Sequence, residues 1–158
     1  MAQSMSVSVF LDLSPHGLLD EAAAELEDRI CQYTAAVCRE ALRAGTPFRL
    51  LPYGEARMEL SSDASKELVH FRRFLAGLRF SCPFPFHEII RMEMEARPSV
   101  SLLVVITTEL TPMLSEYMAA LSMQGHGVSL MVVPKDAGDA VASHRLDRHV
   151  EEVRARAS

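Results

Sequence analysis

A chain of 158 residues and 17.5 kDa suits one domain with one sizeable core, and its 49% hydrophobic and 23% charged content is that of an ordinary globular protein. The net charge of −5, with basic residues scattered, lacks the cationic footprint needed to displace counterions from nucleic-acid phosphates. The longest apolar run, Val100 to Thr108, is less than half of the roughly 20 residues a spanning helix needs, so no membrane insertion by this chain is expected.

Ser6 to Leu11 forms a strand whose apolar residues run together, the pattern of a strand covered on both faces. Residues 1–5 before it are expected to be a disordered leader. Asp12 closes the strand and Ser14-Pro15-His16-Gly17 breaks it. A long helix follows over Leu18 to Ala44, with Leu19, Ala23, Leu26, Ile30, Tyr33 and Val37 at three- and four-residue spacings. Gly45 stops it. Pro47 to Pro52 is a second strand, and Ala56 to Leu60 a third that returns antiparallel at a sheet edge.

A helix over Ser65 to Leu78 buries Leu68, Phe71, Leu75 and Leu78 on one face. The two prolines in Ser81-Cys82-Pro83-Phe84-Pro85-Phe86 forbid regular structure there. A shorter helix spans His87 to Ala96, and Ser101 to Thr107 is the clearest buried strand. Pro112 opens a helix that runs to Gln124, Val128 to Val133 is a fifth strand, and residues 139–158 are expected to close the chain as a helix. Strands alternating with helices predict a single three-layer α/β domain, a doubly wound, mostly parallel Rossmann-like sheet.

Cys31 and Cys38 share a helix, and their α-carbons stand roughly 10 Å apart by helical rise, beyond disulfide reach. Cys82 lies far along the chain. Free thiols and a reducing, cytoplasmic compartment follow. His144 and His149, five apart on the expected last helix, are surface residues rather than metal ligands. Met92 and Met94 pack an amphipathic helix.

In sheets of this class ligands bind beyond the carboxyl ends of the strands, which selects the loops at Asp12–Gly17, Thr107–Thr111 and 81–86. The first has neither the spaced glycines of a dinucleotide turn nor the Gly and Lys of a phosphate loop. One enzymatic alternative is a Mg²⁺-dependent hydrolase or phosphotransferase with Asp12 as nucleophile, Thr107 or Thr108 on the phosphate and Lys135 nearby. Enzymes of the haloacid dehalogenase pattern have a second Asp where Ser14 stands, and further acids to hold the metal. Those acids are missing.

The strand end Val9-Phe10-Leu11-Asp12-Leu13-Ser14 resembles the start of the Asp-x-Ser-x-Ser adhesion motif of von Willebrand factor type A domains. Three further stretches are similar to the bacterial family called domain of unknown function 58: Ala41-Leu42-Arg43-Ala44-Gly45 before Phe48-Arg49-Leu50-Leu51, Leu103-Val104-Val105-Ile106-Thr107-Thr108, and Ala119 to Val128. The resemblance covers roughly residues 6 to 134 and implies strand order 3-2-1-4-5 with the third strand antiparallel. It also implies a decayed metal site. Asp12 and Ser14 match the motif, His16 replaces its second Ser, and the later loops read Ser81–Phe86 and Thr107-Thr108-Glu109 where the family supplies Thr and Asp. Hard octahedral coordination needs more oxygen ligands than remain, so no cofactor is expected. If Mg²⁺ bound at all, Asp12 and Ser14 would hold it.

What the resemblance implies, then, is a non-catalytic interaction or scaffolding module with a degenerate adhesion site. Its partner would be a protein, by family likeness a MoxR-type AAA+ ATPase, and its surface would be Asp12, Ser14, His16, Phe84, Phe86, Thr108 and Glu109. Relatives carry membrane helices before this region, so the expected location is the cytoplasm, free or as the cytoplasmic domain of a membrane-anchored parent.

Overall fold

The computed structural model describes residues 6–136 and the backbone of 142–146. The elements in chain order are β1 (Val7–Leu11), α1 (Asp20–Ala44), β2 (Phe48–Pro52), β3 (Leu60–Ser61), α2 (Leu68–Ala76), α3 (Phe86–Ala96), β4 (Leu102–Thr107), α4 (Pro112–Met123), β5 (Gly127–Val132) and β6 (Ala142–Leu146). They build one sheet in the order β3-β2-β1-β4-β5-β6. β1, β2, β4 and β5 are parallel to their neighbours in this set, while β3 runs antiparallel to β2. The expected order 3-2-1-4-5 is therefore present, in a Rossmann-like α/β architecture.

Every residue of β1 is buried, Ser8 included, because helices cover both faces, and this is why its other four residues are all apolar. The chain leaves β1 in one direction across the sheet and β4 in the other. Right-handed crossovers therefore put α1 and α4 on opposite faces. On the first face Phe71 of α2 packs on Phe48 of β2, ring centroids 5.1 Å apart. On the second, Arg57 after β2 pairs with Glu93 of α3. Gly45 ends α1 at φ +67°, and its N–H reaches back to the Leu42 carbonyl; only glycine adopts that left-handed turn without steric cost.

Three elements start at least two residues later than expected, and the other starts up to β5 shift less. α1 starts at Asp20 rather than Leu18, because Leu19 is extended and Asp20 takes φ +51°, after a loop in which His16 Nδ1 accepts the Leu18 N–H at 3.1 Å. α2 starts at Leu68 rather than Ser65, whose hydroxyl accepts the Glu67 N–H in a turn. The third strand sits at Leu60–Ser61 rather than Ala56–Leu60. The residues just before it are drawn into ion pairs instead: Arg57 with Glu93, and Glu59 with Arg49 and Arg97. Only a single bridge joins Tyr53 to Arg57.

The expected closing helix is corrected at its centre. Ala142–Leu146 is a strand, antiparallel to β5 with Val132 opposite Ala142 and Val128 opposite Leu146. It satisfies backbone groups that β5 would otherwise leave open at the edge, and His144 lies in this strand. The leader 1–5, residues 137–141, and residues 147–158 with His149 lie outside the described residues. Met94 of α3 is buried, whereas Met92 on the same helix is exposed. No described helix is long and apolar enough to cross a membrane.

Candidate functional site

Hydrogen bonds from β1 to β4 continue one residue past the end of β1, with the Asp12 N–H donating to the Ile106 carbonyl at 2.9 Å. Since Leu11 stands opposite Ile106, the next residues, Asp12 and Thr107, fall side by side on the same face. The Thr107 hydroxyl donates to Asp12 Oδ2 at 2.7 Å and accepts the Glu109 N–H at 3.2 Å. The other carboxylate oxygen, Oδ1, accepts the Ser14 N–H at 2.9 Å and the Ser14 hydroxyl at 2.5 Å. Asp12 is 9% exposed, and three donors satisfy it. Its charge is thus spent on closing the first loop and on tying β1 to β4, as a buried carboxylate requires.

Above this carboxylate lies a cleft of about 260 Å³. Asp12 and Ser14 form its floor, and Thr108, Glu109, Phe86 and Lys135 stand around it together with the starts of α3 and α4. The structure therefore brings together Asp12, Ser14, Phe86, Thr108 and Glu109 of the expected set. Phe86 is buried at the start of α3 and acts as packing. Phe84 flanks the cleft and is 48% exposed, one edge turned to Tyr53 with centroids 6.0 Å apart.

His16 is not among the residues lining the cleft. Its side chain is buried on the α1 side of the loop, with Nε2 3.1 Å from Glu27 Oε2 and its ring 5.7 Å from Phe80. Because Nδ1 accepts the Leu18 N–H, Nε2 carries the proton and donates to Glu27. His16 thus shapes the entry into α1, and it presents no lone pair to a metal.

The missing member of the expected set is Thr107, whose hydroxyl is the buried partner of Asp12. The signal for it was strand parity: only one of the two threonines at the end of β4 can face Asp12, and which one depends on the β1–β4 register. Lys135 joins the cleft for a tertiary reason. Arg29 of α1 donates to the carbonyls of Pro134 and Lys135, at 2.9 and 3.4 Å, and holds the segment after β5 against the crest.

No family model and no curated protein matches the chain. The chemistry of the crest must be read from its own atoms.

Those atoms do not suit a hard cation. Mg²⁺ needs a near-octahedral set of oxygens. Here both oxygens of the Asp12 carboxylate already accept hydrogen bonds inside the fold, and the cleft adds one further acid, the exposed Glu109. Among the described residues no three His, Cys, Asp or Glu side chains group as a metal site would require. Nor do the thiols offer a nucleophile at neutral pH. Burial lifts Cys31 to about 11, helped by Asp28 and Glu27, and lifts Cys38 to about 12. Cys82 is raised as well, first by burial and then by the neighbouring Asp12. All three are free and stay protonated.

Proposed function

We propose that this chain is a non-catalytic protein-binding module, with a degenerate adhesion site, that engages its partner through the crest of the sheet. The observation that carries the proposal is that four of the seven large exposed apolar side chains among the described residues gather at one end of the sheet, the other three, Val69, Met92 and Met123, being scattered on α2, α3 and the end of α4. Leu19, Phe84, Leu110 and Met113 all belong to loops or helix starts at the carboxyl ends of the strands. Phe84 is 48% and Met113 57% exposed, and they flank a cleft whose carboxylate is occupied inside the fold. Large apolar groups beside polar rims such as Glu109 and Lys135 are the anatomy of a contact surface. By its resemblance to the domain of unknown function 58 family, the partner is a MoxR-type AAA+ ATPase, and the protein works as a scaffold or adaptor for it.

The test is co-purification with such an ATPase. Phe84→Glu and Met113→Glu each weaken capture by at least about tenfold, the loss of roughly 1.4 kcal/mol expected at an interface hot spot. Met123→Glu, 90% exposed at the far end of α4, leaves capture unchanged. Equal capture by all three variants would remove the crest as the contact surface.

The enzymatic alternative, a Mg²⁺-dependent hydrolase or phosphotransferase using Asp12, is favoured by one observation, the presence of Lys135 and Thr108 in the same cleft. The engagement of both Asp12 oxygens weighs against it, since a nucleophile needs a lone pair open to substrate.

A further inference from the structure

A second concavity lies away from the crest. It is a trough of about 640 Å³ between α1 and the end of α2. Along α1 its wall is built of residues at three- and four-residue spacings, Ala24, Asp28, Cys31, Gln32, Ala35 and Arg39, one continuous stripe over four turns. The facing wall is Arg72, Leu75 and Ala76 of α2, followed by Leu78 and Phe80. Ala35 and Leu75 are buried at the floor, and Cys31, Leu78 and Phe80 are partly buried. Alanines along the stripe leave room for another helix to approach at the usual interaxial distance of about 8–10 Å.

Charge along this stripe is polarised. The first half of α1 carries Asp20, Glu21, Glu25, Glu27 and Asp28, while the second half carries Arg39 and Arg43 with a single acid, Glu40. The one arginine in the first half, Arg29, is turned away to the Pro134 and Lys135 carbonyls. Arg72 of α2 extends the basic end of the trough, and no described residue pairs with it. A helix laid antiparallel in the trough must therefore be basic where it meets Glu27 and Asp28, and acidic where it meets Arg39 and Arg72. α1 of a second copy has this polarity when related by a two-fold axis.

We propose that the chain forms a two-fold symmetric homodimer in which α1 of each protomer lies in the α1–α2 trough of the other. Asp28 of one copy then faces Arg39 of its partner at both ends of the contact, roughly 16 Å apart by helical rise, with Gln32 and Ala35 near the axis. Such an isologous contact is self-complementary and closed. The rim charges set orientation and disfavour the parallel arrangement, while the floor of Leu75, Leu78 and Phe80 excludes water. The crest stays free on both protomers, so the dimer would present two contact surfaces.

Charge reversal tests this directly by sedimentation of the full chain over a concentration series. The expected result is a dimer of twice 17.5 kDa. Asp28→Arg and Arg39→Glu, at exposed positions outside the core, each weaken it by at least about tenfold, and the double variant restores it by exchanging the partners. Ala36→Lys, which fills the trough wall, also yields monomer. A wild-type monomer at about a hundred micromolar, far above the dissociation constant expected of a stable dimer, would overturn the proposal. So would single reversals without effect, or a double variant no better than either single one.

Discussion

Asp12→Ala lowers folding stability by about 3 kcal/mol, measured as a shift in the midpoint of urea unfolding at unchanged slope. The substitution removes the acceptor of three hydrogen bonds at once, those from the Ser14 N–H, the Ser14 hydroxyl and the buried Thr107 hydroxyl. Hydrogen bonds to a charged group contribute about 1.5–3 kcal/mol each. Within one network the losses do not add, so the total stays near the upper end of a single such bond. Ser14 can turn its donors to water because it is partly exposed, whereas Thr107 is buried and cannot. Asp12→Asn keeps one carbonyl oxygen for Ser14 and offers an N–H₂ that the Thr107 oxygen can accept, and it costs about 1 kcal/mol. The contrast between Ala and Asn separates a tether from a nucleophile, for which both changes would be equally damaging to function and nearly silent in stability.

Phe71→Ala costs about 3–5 kcal/mol, the range for removing a fully buried aromatic ring. Phe71 has no exposed surface and stacks at a tilt on Phe48 of β2. It is the main anchor of α2, a nine-residue helix whose other buried side chain is Leu75. A helix this short does not hold without tertiary packing, so the loss is concentrated in α2 and in the trough it forms with α1. Hydrogen exchange in α2 therefore accelerates more than exchange in β1 and β4, whose pairing does not depend on it.

Much of the fold could be read from the sequence because its central strands carry strong signals. β1 and β4 are mostly apolar and covered on both faces, and Gly45 marks the end of α1 by a left-handed backbone conformation that glycine adopts without steric cost. The last strand could not be read in this way. Ala142-Ser143-His144-Arg145-Leu146 has no apolar alternation, and it becomes a strand because β5 offers an open edge to pair with. Likewise Ala56–Glu59 looked extended, but its charged side chains find partners on α3 and β2, and pairing is displaced to Leu60.

The crest was partly legible for a related reason. A strand that ends in Asp12 places a carboxylate at the switch point of the sheet whatever the rest of the chain does. Its partner was not legible, because Thr107 and Thr108 differ only in parity and parity depends on the register between β1 and β4. His16 was grouped with Asp12 by proximity in sequence, yet Glu27, about two turns into α1, captures it. Phe84 and Phe86 sit two apart in a proline-rich loop with no period to tell them apart. The start of α3 at Phe86 buries one ring and leaves the other at the surface.

The most direct measurement is thermal unfolding with and without millimolar Mg²⁺, Mn²⁺ or Zn²⁺. With the Asp12 carboxylate committed to Ser14 and Thr107, the melting temperature stays within about 1 °C for all three ions, in the wild type and in Asp12→Asn alike. A cation held by the native state at a hundred times its dissociation constant would instead add about 2.7 kcal/mol, a rise of roughly 5–10 °C for a domain of this size. Such a rise in the wild type, lost in Asp12→Asn, would contradict a carboxylate used only inside the fold.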